Sequence, residues 1–155
     1  MLRMQSAAWF SPDVNLFDNG KHLVTRLRFS WFRHSASAII DEVPHQIKKL
    51  SVLEDAYVMT AYNTEVARAT RPNPFVRRFQ IHAGEYLLTL QAAGALSRTY
   101  HLYEAQEQIG TIRPKGWSYR NVVADLPESL PMPVRVLVCF LVAVLLKRAQ
   151  AAGGA

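Results

Sequence analysis

The sequence predicts a mainly β chain, an antiparallel closed barrel of about twelve strands that encloses a hydrophobic C-terminal α-helix. Three observations point there. Before residue 130 the apolar residues alternate with period two instead of 3.6, in short runs separated by turn residues. Near the end stands one stretch with no polar face, eleven apolar residues in a row from Val136 to Leu146. A helix that is apolar all round must be covered on every side, and many short strands beside a single such helix suggest a sheet wrapped around it, with closure removing the exposed edges.

The apolar stretch fits a protein core better than a bilayer. At about 1.5 Å per residue it reaches roughly 16 Å, about half of a hydrocarbon layer roughly 30 Å thick. Arg135 at one end and Lys147-Arg148 at the other close it off. A tail-anchored membrane protein is the architectural rival.

In chain order, the strands are read at 4–10, 14–17, 23–31, 36–41, 45–51, 57–62, 65–70, 76–82, 86–91, 97–104, 108–112 and 117–125. Asn19-Gly20 is a strong hairpin signal, because both residues tolerate positive φ. On the strand that follows it, Leu23, Thr25, Leu27, Phe29 and Trp31 share one face, and Arg26, Arg28 and Ser30 the other. Pro44 separates two weaker strands, and Asn63-Thr64 turns the next hairpin. Arg71-Pro72-Asn73-Pro74 is a hard break, since two prolines cannot sit inside a central ladder. Asn15-Leu16-Phe17-Asp18 is echoed by His101-Leu102-Tyr103-Glu104, which suggests a barrel of two halves hinged at Pro72–Pro74. Gly84, Gly94, Gly110 and Gly116 are spaced as turn or bulge glycines. Pro133 suits a first helical turn, and the helix spans about 132–149, with Lys147 and Arg148 at its C-terminus, where the dipole favours cations. One domain covers residues 1–150, and 151–155 form a frayed tail.

Composition limits the function. The chain has 155 residues, half of them apolar, which excludes disorder. Net charge is +6, and 13 of the 18 basic residues are Arg, whose planar fork suits phosphate and carboxylate. The partners this favours are anionic: an anionic membrane surface, an acidic protein face or nucleic acid, the last being the least expected. The single cysteine, Cys139, lies in the apolar helix and reads as packing. The histidines show no metal spacing, although His82 and His101 would be neighbours if their strands paired. No catalytic constellation, phosphate loop, metal site or cofactor motif is read.

Four motifs then carry a resemblance. Phe17-Asp18-Asn19-Gly20, Arg98-Thr99-Tyr100-His101-Leu102-Tyr103, Gln108-Ile109-Gly110-Thr111-Ile112 followed by Trp117, and Asp125-Leu126-Pro127 through Leu146 resemble corresponding pieces of the tubby C-terminal-like superfamily. Within it the chain resembles the small LURP-one-related and phospholipid-scramblase-like proteins. The resemblance implies a twelve-stranded barrel around a central helix, a packed Trp117, and a non-enzymatic binding module. It also implies contact with anionic phospholipid headgroups in a cytoplasmic, membrane-peripheral setting. The scramblase-like acidic calcium segment has no counterpart here, since Asp125 and Glu128 offer too few oxygens. The alternative is a protein-interaction or scaffold domain indifferent to lipid. The candidate anion-binding residues are Arg113, Lys115 and Arg120, around a turn with Trp117 and Tyr119 interleaved, and Arg26 and Arg28 on one outward strand face. Solvated strand faces are the plainer account of the same residues.

Overall fold

A computed structural model describes residues 1–7, 11–19, 21–31, 33–51, 53–73 and 75–153. Its strands run β1 (Leu2–Ser6), β2 (Val14–Asp18), β3 (His22–Ser30), β4 (Ser35–Ile40), β5 (Val43–Lys49), β6 (Ala56–Ala61), β7 (Thr64–Thr70), β8 (Arg78–Ala83), β9 (Tyr86–Ala92), β10 (Tyr100–Glu104), β11 (Glu107–Pro114) and β12 (Val122–Asp125), followed by α1 (Met132–Ala152). Each strand pairs antiparallel with its sequence neighbour, and β1 pairs with β12 through Leu2↔Ala124 and Met4↔Val122. That last ladder closes the barrel. The helix fills it: every residue from Val134 to Leu146 is buried, and Phe140 stacks on Phe29 at 5.5 Å and meets Tyr57 edge-on at 5.4 Å. Among the described residues no helix is long and apolar enough to cross a membrane.

The barrel repeats itself three times, not twice. The ladders of β2–β3, β6–β7 and β10–β11 each carry an irregularity, just after Leu16, Met59 and Leu102. These positions lie 43 residues apart. Positive φ recurs at the same interval, at Asn19, Tyr62 and Ala105, and again at Asp41 and Gly84. So do inward side chains: Ala38, Ile81 and Ala124 are all buried, as are Met4, Ile47 and Leu90. Four strands make one unit, and β1–β4, β5–β8 and β9–β12 are three copies of it. The two-halved reading is therefore corrected: residues 71–73 connect β7 to β8 inside the second unit, and Pro74 lies outside the described residues.

The irregularities explain one misplaced side chain. Leu16 faces Thr25 while Phe17 faces Leu23, so Val24 is an extra residue on β3. A one-residue slip turns a side chain to the other face. Leu23, expected inside with Thr25, Leu27 and Phe29, is 56% exposed.

Other boundaries move for local reasons. The first strand starts at Leu2 and ends at Ser6; Ala8, Trp9 and Phe10 lie outside the described residues, as does Gly20 of the Asn19-Gly20 turn, whose Asn19 has φ +49°. The third hairpin turns at Tyr62-Asn63, one residue early, with both φ positive as a tight hairpin turn requires. Pro44 sits inside β5 opposite Ile39. It is tolerated because β6 stops pairing at His45↔Ala61, so no ladder bond is asked of its nitrogen. The last strand is only Val122–Asp125, because residues 115–121 form a loop. His82 and His101 do not lie on paired strands, since β9 separates β8 from β10. The helix runs on to Ala152, through the start of the expected tail, with the Gly153 N–H bonded to Ala149 O at 3.0 Å; residues 154–155 lie outside the described set. Lys147 and Arg148 are thus more than a turn from the helix end, and their role is side-chain contact instead of dipole capping.

Candidate interaction site at the long-connection end

Alternating strand direction puts the connections at two ends. One end has the tight turns that join β2 to β3, β4 to β5, β6 to β7, β8 to β9 and β10 to β11, together with the start of the helix. The other end has the longer connections 7–13, 31–34, 50–55, 71–77, 93–99 and 115–121, and the helix leaves the barrel there.

Charge separates along the same axis. Asp18, Asp41, Glu42, Glu65, Glu85, Glu104, Glu107, Asp125 and Glu128, nine of the twelve acidic residues, stand at or beside the tight-turn end. The long connections contain Arg33, Arg71, Arg77, Arg98, Lys115 and Arg120, with Lys147 and Arg148 on the emerging helix, against Asp13, Glu54 and Asp55. The molecule is bipolar.

Several of these arginines brace neighbouring loops. Arg77 donates to the Tyr100 hydroxyl at 2.6 Å, to Ser97 O at 2.7 Å and to Ala95 O at 3.2 Å. Arg98 donates to Gly116 O and Trp117 O at 3.0 and 3.1 Å and lies over the Trp117 ring at 5.5 Å. Arg120 reaches back to Ser11 O, and Arg71 holds Val76 O at 2.7 Å. A guanidinium fork can bridge carbonyls in this way. Bonds to neutral carbonyls leave the positive charge uncancelled.

Among the described residues, only Asp55 neutralises charge at the centre of this end. It accepts from Arg148 at 2.6 and 2.9 Å and from Arg71 at 2.9 Å, with Lys49 at 4.0 Å. Burial alone would raise its pKa, but the hydrogen bonds from Arg148 and Arg71 outweigh burial and hold it below the ordinary value. Beside it, burial pushes the Tyr57 hydroxyl up to about 12, and Tyr57 accepts from Arg148 at 3.1 Å.

The tips of the same connections are apolar. Leu53 is 96% exposed, Phe75 92%, Leu96 97% and Trp117 83%. They sit on four successive long connections, and Leu53 and Leu96 occupy equivalent places 43 residues apart. By sequence, Phe10 and Phe32 stand at the same interval before Leu53 and Phe75; both lie outside the described residues. The packed Trp117 of the family likeness is corrected. Its loop bulges outward, held by Arg98 and by Gln150, whose amide donates to Trp117 O at 2.8 Å.

The sequence-derived basic residues do not gather into one patch. Lys115 and Arg120 lie on the last long connection, with Arg120 committed to Ser11. Arg113 is exposed on the outer wall of β11, beside Thr111, Val123 and Asp125. Arg26 and Arg28 are exposed on β3, with three strands between it and β11, along a shallow depression of about 450 Å³ with Ser37 and Gln46; Arg26 also bonds Asn15 at 2.9 Å. Sequence reasoning passed over the loop-tip residues Leu53, Phe75 and Leu96, Asp55 and the pairing of Arg148, although it placed Trp117 among the cations of its turn. A 43-residue period in the loop-tip residues was the signal that could have found the first of these. Comparisons with protein-family models, curated proteins and solved structures return no significant match.

Proposed function

We propose that the protein is a non-enzymatic binding module that seats its long-connection end on an anionic membrane surface. One observation carries the reading: exposed apolar loop tips share an end with uncancelled cations, while most acidic residues stand at the opposite end. A dipole of this sense turns the molecule correctly before contact. The likeness to scramblase-like and LURP-one-related proteins supports it, and a cytoplasmic, membrane-peripheral setting goes with it.

The magnitudes are adequate for weak, reversible attachment. Each cation near an acidic surface contributes about 1 kcal/mol, and full burial of a Leu or Phe about 1.5–3 kcal/mol. The tips are separate projections, which suits a headgroup layer that admits side chains one by one. Cosedimentation with phosphatidylserine-containing and pure phosphatidylcholine vesicles tests the proposal. The wild type binds the acidic vesicles and is released by salt. Leu53→Ser with Phe75→Ser and Leu96→Ser lowers partitioning about tenfold or more, with thermal stability kept because these side chains are exposed. Equal binding to both vesicles, or no effect of the triple substitution, would favour a protein-docking role.

A further inference from the structure

The three-unit repeat exposes a position where one unit departs from the other two. Just before β4, β8 and β12, at intervals of 43 residues, stand His34, Arg77 and Arg120. Arg77 closes the niche beside Tyr100, bonding its hydroxyl at 2.6 Å and lying over its ring at 5.2 Å. Arg120 closes its own niche through Ser11 O. The equivalent of Tyr100 in the preceding unit is Tyr57, and its partner position holds the shorter His34. Tyr57 is bonded instead by Arg148 from the helix.

A cleft of about 140 Å³ opens between His34, Tyr57 and the helix. Phe140, Val144 and Tyr57 supply its apolar surface, and Lys147 and Arg148 its cations, with His34 beside them. Trp31 forms another wall, and its indole N–H is buried without an acceptor. The Lys147 ammonium lies 4.1 Å from the Trp31 ring centroid. The local field is positive: burial first, then Lys49, Arg148 and Lys147 hold the His34 pKa below its ordinary value, opposed by Asp55.

We infer that this cleft binds a small monocarboxylate whose apolar body is about five or six carbons in size. An apolar cavity of about 150 Å³ accommodates one benzene, which sets the size of the body. The carboxylate pairs with Lys147, which stands over the Trp31 ring, while the body packs on Phe140 and Val144. The inference stands apart from the membrane reading, because it needs neither the loop tips nor a bilayer.

Calorimetry on the full chain, without lipid, with hexanoate, hexanol and acetate tests it. Hexanoate binds saturably, and NMR shows the His34 pKa raised in the complex, as a nearby anion requires. Hexanol and acetate each bind about tenfold more weakly or worse, having lost the charge and the apolar body respectively. Val144→Phe fills the cleft. His34→Arg places on this exposed turn the residue its two counterparts carry, and its thermal midpoint is read alongside, because His34 has φ +50°. Each weakens hexanoate about tenfold or more, while cosedimentation with acidic vesicles persists. Absence of saturable hexanoate binding, hexanol binding as tightly as hexanoate, or full affinity in His34→Arg overturns the inference.

Discussion

Asp55 occupies a connection between strands, yet it joins three distant parts of the chain. Its carboxylate accepts from Arg148 on the helix and from Arg71 after β7, with Lys49 of β5 nearby. Its pKa is held below the ordinary carboxylate value of 3.8. A depressed folded-state pKa adds stability that is fully present above the unfolded value and is lost as pH falls through the folded one. The contribution therefore exists at neutral pH and disappears in acid below about pH 4. Asp55→Asn is expected to lower stability at neutral pH by on the order of 1–3 kcal/mol and to flatten its decline in acid. Denaturant titrations across the acidic range check this; parallel wild-type and variant curves would contradict it.

Among elements, the β10–β11 hairpin shows how a small residue sets strand packing. Leu102 faces Gly110 while Tyr103 faces Gln108, so Ile109 is the extra residue. A Cβ on Gly110 would stand 2.7 Å from Leu126 Cδ2 and 2.9 Å from Asp125 O. The second contact is backbone, which cannot swing aside. Gly110→Ala should therefore cost about 1–3 kcal/mol, read as a lowered midpoint in chemical unfolding. At Gly94 a Cβ meets only Ser97 Cβ at 3.9 Å, so Gly94→Ala is the matched control. α1 shows the converse. With apolar residues on all faces, it has no preferred side, and the barrel meets each face with inward residues from all three units.

At the scale of the whole molecule, closure governs access to the interior. Cys139 lies at the middle of α1, and burial pushes its thiol up to about 12. The thiolate is the reactive form, so reaction requires the barrel to open around it. Alkylation under native conditions should be slow and should accelerate with denaturant along the global unfolding slope. Fast labelling of native protein would mean the helix leaves the barrel in a local excursion. Bipolar charge is likewise a property of the whole: no single strand is acidic or basic enough to orient the protein, but alternating strand direction sums the turns at one end and the loops at the other.

The number of strands, their antiparallel order and the burial of the terminal helix were legible in the sequence, because period-two alternation and an apolar run depend only on local spacing and on the need for cover. The turn that carries Lys115 was legible there too, but not that Arg120 beside it is half-buried and bonded to Ser11 O. The threefold repeat was not, because inward positions recur every 43 residues while few identities do: Ala38, Ile81 and Ala124 share a place and an apolar character but not a size. Tertiary structure alone decided that Leu23 points outward, since one extra residue on β3 reverses a face without altering the alternation around it. It alone brought Asp55 to Arg148, 93 positions away, and left His34 where Arg77 and Arg120 have arginine. Local alternation specifies which residues can be inside; only closure of the ladder between β1 and β12 specifies which ones meet.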